Sequence, residues 1–434
     1  MINRRHVLEG AAGLAASSLA SQPLMASATP QVAPTGARPS AEMLASDEAF
    51  WRGIAALYET TDDIVNLENG NWGLMAQPVL ERYLALTRMV NRQNSYYARR
   101  AYGPDVLAAR ARVAATLGAG EDEIVFTRGA TEALKGIIGG YSKLKPGDAV
   151  MYADLDYGSI QASMDWLAAR DGASVVRLEV PEPATHDGLI DFYTDALKAN
   201  PAVRLLLLTH VSHRTGLVIP VKAITAAARA LGVDVVVDAA HSWGQIDFRI
   251  DDLGADFVGF NLHKWIGAPV GVGLAYIRRE RLADIAPDMA SGAWEQDRIS
   301  GRVHTGTANF AAILAVPHAL DFHDRVGPAR KEARVRHLRT LWVDAARGIP
   351  GLQILTPEDP RLHAGITSFR FAGQGSVEAN KAIAARLLDE HSIFTVHRSG
   401  VAAGACIRVT PSLYNSAADV QRLVPALAAI GQSL

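Results

Sequence analysis

Lys264 stands in the run Phe260-Asn261-Leu262-His263-Lys264-Trp265-Ile266-Gly267, shortly after Asp238 closes the apolar run Val235-Val236-Val237 and His241 follows it. A lysine amine condenses with an aldehyde, and a carboxylate in a poorly solvated place keeps a pyridine nitrogen protonated. Together these are the two groups that pyridoxal phosphate (PLP) requires of a protein, Lys264 as covalent anchor and Asp238 as partner of the ring nitrogen. Taken singly, a strand ending in Asp and a lysine are ordinary features, so other residues must converge on them.

Three further polar clusters follow apolar runs. In Phe126-Thr127-Arg128-Gly129-Ala130-Thr131-Glu132 a strand ends, a glycine permits a turn and a helix begins. Free N–H groups there, with the Thr131 hydroxyl, suit a phosphate, although Thr131 can equally be a helix N-cap. Ala153-Asp154-Leu155-Asp156-Tyr157-Gly158 brings Tyr157, able to stack on an aromatic ring or simply to fill the interior. Thr209-His210-Val211-Ser212-His213-Arg214-Thr215-Gly216 gathers donors that packing alone does not require.

These clusters need a frame. Ile124-Val125-Phe126, Ala149 to Tyr152, Ser174 to Leu178, Arg204 to Thr209, Val233 to Val237 and Gly271 to Ile277 read as strands, and Ala-rich Val221 to Leu231 as a helix between two of them. Continuous apolar character predicts a parallel sheet covered on both faces, with ligands at the carboxyl ends of its strands. Past Ala312 a helical pattern runs from Ile313 through Leu341, broken near Gly327-Pro328. It is followed by the segments Gly351 to Leu355 and Ile366 to Phe371, a helix from Val377 to Glu390 and strand-like Cys406 to Val409, which together predict a smaller α+β domain.

The expected division is a signal at 1–28, a linker and N-terminal segment at 29–60, a large PLP-binding domain at 61–312 and a small C-terminal domain at 313–434. Arg4-Arg5 precede the weakly apolar run Gly10 to Ala20, and Ala26-Ser27-Ala28 offers a cleavage site, a pattern that looks like a twin-arginine signal. It predicts export, already folded, by the twin-arginine machinery to the periplasm. A net charge of −2 supplies no basic field for nucleic acid, and no apolar stretch after the leader is long enough to span a bilayer. Cys406 is the only cysteine, which excludes an intrachain disulfide and a cysteine-rich metal site.

Taken together, the motifs resemble the class V aminotransferase group of fold-type I PLP enzymes, which includes cysteine desulfurases and isopenicillin-N epimerase-like proteins. The resemblance runs from about Asn66 to Val424. It implies an α/β fold with a mostly parallel, seven-stranded-type sheet between helices and a smaller C-terminal α+β domain. It implies PLP on Lys264, Asp238 on the ring nitrogen, His241 and His213 near the ring hydroxyl and Tyr157 in the ring-stacking place. Gly129, Ala130, Thr131, Asn261 and His263 would cradle the phosphate. Thr305-Gly306-Thr307-Ala308-Asn309 resembles the segment by which Thr307 reaches the partner's phosphate, implying a homodimer. Ile407-Arg408-Val409-Thr410 resembles the strand whose Arg408 clamps a substrate carboxylate, while Asn71 and Trp72, like Asn94 to Arg100, fall in segments that line the substrate mouth.

The reaction is less constrained. Lys264 is the expected base for a Cα proton. One base serves transamination, whereas epimerisation needs a second donor, for which His213, His241 and Tyr157 are available. Desulfuration needs a mobile thiol, and Cys406, two residues before Arg408 on a strand, is badly placed for that. Carbon–sulfur lyase chemistry asks little more of the protein. A non-catalytic binding protein would have lost Lys264 or Asp238. With the leader, the motifs resemble periplasmic PLP enzymes that tailor glutamyl groups of siderophores. The expectation is therefore transaminase-like tailoring of an amino-acid residue, small-molecule or peptide-linked, in a secreted metabolite such as a siderophore, with epimerisation as the alternative.

Overall fold

The computed structural model describes residues 40–304 and 306–434; the expected signal at 1–28 and residues 29–39 of the segment after it lie outside the described residues. In chain order the strands are β1 (Val65–Asn66), β2 (Ile124–Thr127), β3 (Ala149–Ala153), β4 (Ser174–Leu178), β5 (Val203–Thr209), β6 (Asp234–Asp238), β7 (Phe257–Asn261), β8 (Gly273–Ile277), β9 (Leu352–Ile354), β10 (Thr367–Phe371), β11 (Ile393–Phe394), β12 (Val396–Arg398) and β13 (Cys406–Val409).

Seven of these form one sheet in the order β2-β8-β7-β6-β5-β3-β4, in which β8 alone runs antiparallel to its neighbours. Successive side chains on a strand face opposite ways. Leu206, Leu208, Val235 and Val237 accordingly enter one core and Leu205, Leu207 and Val236 the other, all buried. The α/β fold with a mostly parallel seven-stranded sheet is the one expected.

Strand β7 is missing from the sequence reading because Gly259 interrupts its apolar run. A Cβ at Gly259 would meet Leu134 Cγ at 2.6 Å, so the glycine lets the helix Ala130–Gly140 lie directly on the strand. The helix Gln77–Arg100, interrupted at Asn94 (φ 48°), and the helix Tyr102–Leu117 were likewise not foreseen; both pack on the helix Phe310–Val326. The break near Gly327-Pro328 is real: Gly327 has φ 97°, and Pro328 opens the next helix, Pro328–Ala346.

The second sheet is antiparallel, in the order β12-β13-β10-β9. The chain ahead of the large sheet joins it. Strand β1 pairs in parallel with β11, and Val65 and Leu67 share a core with Trp342, Phe369 and Ile407. Asn69 N–H and Thr410 N–H donate to the carbonyls of Thr410 and Leu67, which lays residues 67–70 along the end of β13. None of the helices among the described residues is long and apolar enough to cross a membrane.

Candidate active site

Parallel strands end on one edge of a sheet, so the loops after β2, β3, β5, β6 and β7 meet there. They enclose a cavity of about 810 Å³ lined by Gly129, Ala130, Thr131, Tyr157, His213, Asp238, His241, Asn261, His263, Lys264 and Arg408, residues that were singled out from the sequence. Asn71 also lines it. Trp72, half-exposed, and Thr307, exposed, do not line the cavity of their own chain. Asn94 to Arg100 do not reach it: Tyr97 is buried with its hydroxyl donating to Asp105 at 2.6 Å, and Tyr96 points to solvent.

Asp238 is the last residue of β6 and is buried. Its Oδ1 accepts from Ala240 N–H at 2.9 Å, and its other oxygen has no partner among the described residues. Burial raises its pKa, against which the Ala240 bond and the charge of Lys264 act. A cationic ring nitrogen on that oxygen would complete the pairing and keep the carboxylate charged.

Lys264 follows β7, and its Nζ lies 2.8 Å from His241 Nε2. Burial and then the charge of Arg408 lower its pKa to about 7, with Asp238 opposing. The cavity leaves part of the side chain open to solvent, but protein surrounds the amine. His241 is held well below its ordinary pKa by burial and then by Lys264, and is neutral. Its buried Nδ1, like that of His213, has no hydrogen-bond partner. Both histidines line the cavity, and each keeps one buried ring nitrogen without a partner.

The phosphate end is built by close approach. Gly129, not Thr131, is the N-cap of the helix Ala130–Gly140; Thr131 stands in its first turn with its side chain exposed to the cavity. Asn261 Oδ1 accepts from Ala130 N–H at 2.7 Å, and His263 Nδ1 donates to the Val272 carbonyl at 2.9 Å. A Cβ on Gly273 would collide with Gly129 Cα. Side chains are thus kept off a helix N-terminus whose first amides the helix cannot satisfy, which suits an anion.

Tyr157 meets the His213 ring edge-to-face at 5.2 Å. The loop presenting it is fixed by buried Asp156, which accepts from Thr209 Oγ1 and from Ala153 N–H, each at 2.7 Å, and whose pKa burial pushes up to about 7. Cys406 is fully buried on β13 outside the cavity lining. Its Sγ lies 3.7 Å from the Arg214 carbonyl, and burial raises its pKa to about 11.

Three residues in or beside this site were not singled out from the sequence. Arg398 ends β12 and lines the cavity; Glu68 grips Arg408; Lys331 is buried and donates to the Trp265 carbonyl at 2.7 Å, next to Lys264. The one available signal was the charged Glu68 placed directly after the apolar Leu67 and ahead of Asn69-Gly70.

Comparisons with known proteins agree with this geometry. The family model described as aminotransferase class-V matches residues 76–423. Isopenicillin N epimerase of Amycolatopsis lactamdurans is 28% identical, covering 84% of this chain and 94% of its own. The apo cysteine desulfurase of Thermococcus onnurineus NA1 superposes with a TM-score of 0.74 at 22% identity, over 88% of this chain and 98% of that one. A C-DES mutant with glycine covalently linked to its PLP cofactor gives a TM-score of 0.72 at 22% identity, over 85% and 97%. With an amine, a ring-nitrogen carboxylate and an anion-binding helix start around one cavity, the chain belongs to the class-V aminotransferase family and is a pyridoxal phosphate enzyme.

Proposed function

We propose that the protein converts an amino-acid amine to a carbonyl in a transaminase-type reaction, with Lys264 as the base that takes the Cα proton. The observation carrying this reading is the Lys264 amine, 2.8 Å from neutral His241 and lowered to about pKa 7, on the same cavity wall as Asp238. A base with proton affinity near neutrality both accepts and returns a proton readily. PLP supplies the electron sink that makes the Cα proton acidic. Asp238 would hold the ring nitrogen charged, the first amides of the helix Ala130–Gly140 would anchor the phosphate, and Tyr157 would lie against the ring.

The proposed substrate is an amino-acid residue carried in a secreted metabolite such as a siderophore. Support comes from the Arg4-Arg5 leader, which favours export to the periplasm. The exposed position of Thr307, off its own chain's cavity, favours a homodimer in which it serves the partner's site.

A second reading is epimerisation. Tyr157 and His213 line the cavity with Lys264, and a relative matched over most of both chains is named an epimerase. A thiol-dependent desulfurase is not favoured, since the sole cysteine lies buried outside the cavity.

The test is to incubate PLP-loaded protein with a panel of amino acids and glutamyl-bearing siderophore precursors in deuterated water. A keto product, one equivalent per site without added acceptor, supports the proposal. Deuterium at Cα with inversion and no keto product would replace it with the second reading.

A further inference from the structure

We propose that Lys331 is a positioning residue for Lys264: its buried amine holds the peptide that follows the reactive lysine, and so fixes where the Lys264 side chain starts. The idea rests on reading the cavity as the PLP site, and assigns a group outside that cavity which sets its anchor.

The run Leu262 to Trp265 leaves β7 as a turn, without a helix or a strand ladder to hold it. All four of its carbonyls are nonetheless engaged. Ala268 N–H donates to Leu262, Gly73 N–H to His263 and Gly267 N–H to Lys264, at 3.0, 2.8 and 3.2 Å. The fourth carbonyl, on Trp265, has no backbone donor among the described residues, and Lys331 Nζ donates to it at 2.7 Å. Gly244 (φ 91°) packs on the same peptide, where a Cβ would stand 2.7 Å from the Trp265 carbonyl carbon. Lys331 lies near the start of the helix Pro328–Ala346, whose later residues Leu338, Trp342 and Val343 share a core with Phe369 and Ile407 of the second sheet. That helix is a strut running from the second sheet to the Lys264 turn.

Packing alone would not choose a lysine here. Its other contact, His323 Nδ1 at 3.0 Å, belongs to a neutral ring whose pKa burial and then Lys331 lower to about 2. No carboxylate pairs with Lys331 among the described residues: Asp324, whose charge favours the ammonium, is bound to Arg112 at 2.6 Å. Methionine would fill the same space with no charge to desolvate, so the residue is explained by the hydrogen bond it makes and not by its bulk. A cavity of about 20 Å³, lined by Gly73, Lys264, Trp265 and Lys331 among others, leaves room for about one water beside the turn. Because the turn is not packed solid on that side, a directional bond is what confines it.

The test compares PLP-loaded wild type, Lys331→Met and Val343→Ala. The last is a control that removes buried apolar volume from the same helix, at its far end against the second sheet. Two quantities are read: the dissociation constant for PLP, and the circular dichroism of the visible cofactor band per PLP bound, which reports how the cofactor is held. We expect Lys331→Met to bind PLP about tenfold more weakly, as loss of one hydrogen bond from a charged donor implies, and to show a smaller dichroism per bound cofactor. Val343→Ala should melt at a lower temperature yet keep the wild-type value of both. A wild-type value of either quantity in Lys331→Met would overturn the proposal. So would equal losses in the two variants, since those would follow from lowered stability and not from the missing donor. Should Lys331→Met fail to fold, Lys331→Gln, one bond shorter than lysine and unable to reach the Trp265 carbonyl, is judged by the same two quantities against the same control. A wild type that binds no PLP would instead overturn the reading of the cavity.

Discussion

Gly73 N–H donates to the His263 carbonyl at 2.8 Å, and a Cβ on Gly73 would collide with the carbonyl oxygen of Lys264. The segment after β1 therefore presses backbone to backbone on the peptide that carries the reactive lysine.

Gly73→Ala should displace that peptide and with it the Lys264 amine. Overpacking of this kind costs about 1–3 kcal/mol. We expect a lower melting temperature and weaker PLP retention, read by calorimetry and by cofactor absorbance after dialysis. Wild-type values for both would show that the contact is not confining.

Lys264→Ala should abolish the covalent link to the cofactor, so that borohydride reduction no longer fixes pyridoxyl mass to the protein. In the wild type the pKa of the free amine is lowered to about 7 by burial and by Arg408. The base form prevails above that pH, so kcat should plateau there and fall by about tenfold per pH unit below it. A profile flat down to pH 5 would remove Lys264 as the base.

Lys331 is 4% exposed, donates to the Trp265 carbonyl at 2.7 Å and lies 3.0 Å from His323 Nδ1. Burial lowers its pKa to about 7, against an ordinary value of 10.5. Between those values the unfolded chain binds the extra proton, so stability rises as pH rises through this window. The contribution is roughly 1 kcal/mol per pH unit. Lys331→Met in the holoenzyme should flatten the denaturant-measured stability between pH 7.5 and 9.5 by that amount; an unaltered slope would contradict it.

Cys406→Ala should leave cofactor uptake intact and turnover within about twofold, because a buried cysteine acts as a small hydrophobe. A substitution that removed all turnover while the protein kept its fold and colour would revive a thiol mechanism.

Much of the large sheet was legible because it is written in short windows. Val235 to Val237 ending on Asp238, and Leu205 to Leu208 ending on Thr209, show their strand character without reference to any other part of the chain. Where Gly259 replaced a packing side chain, the same rule missed β7, since the reason for that glycine is the helix lying on it.

The sequence by itself determined the α/β layout, the Lys264 and Asp238 pair and the strand ends that carry the polar clusters. Local apolar periodicity and the rule that parallel strands present their carboxyl ends together suffice for that. Tertiary structure alone decided that Glu68 meets Arg408, 340 positions away, that Lys331 caps the turn beside Lys264, and that Cys406 stays outside the cavity. The physical reason is register: which charges meet depends on how β12 and β13 pair and where the chain after β1 lies along them. No window of sequence contains that information.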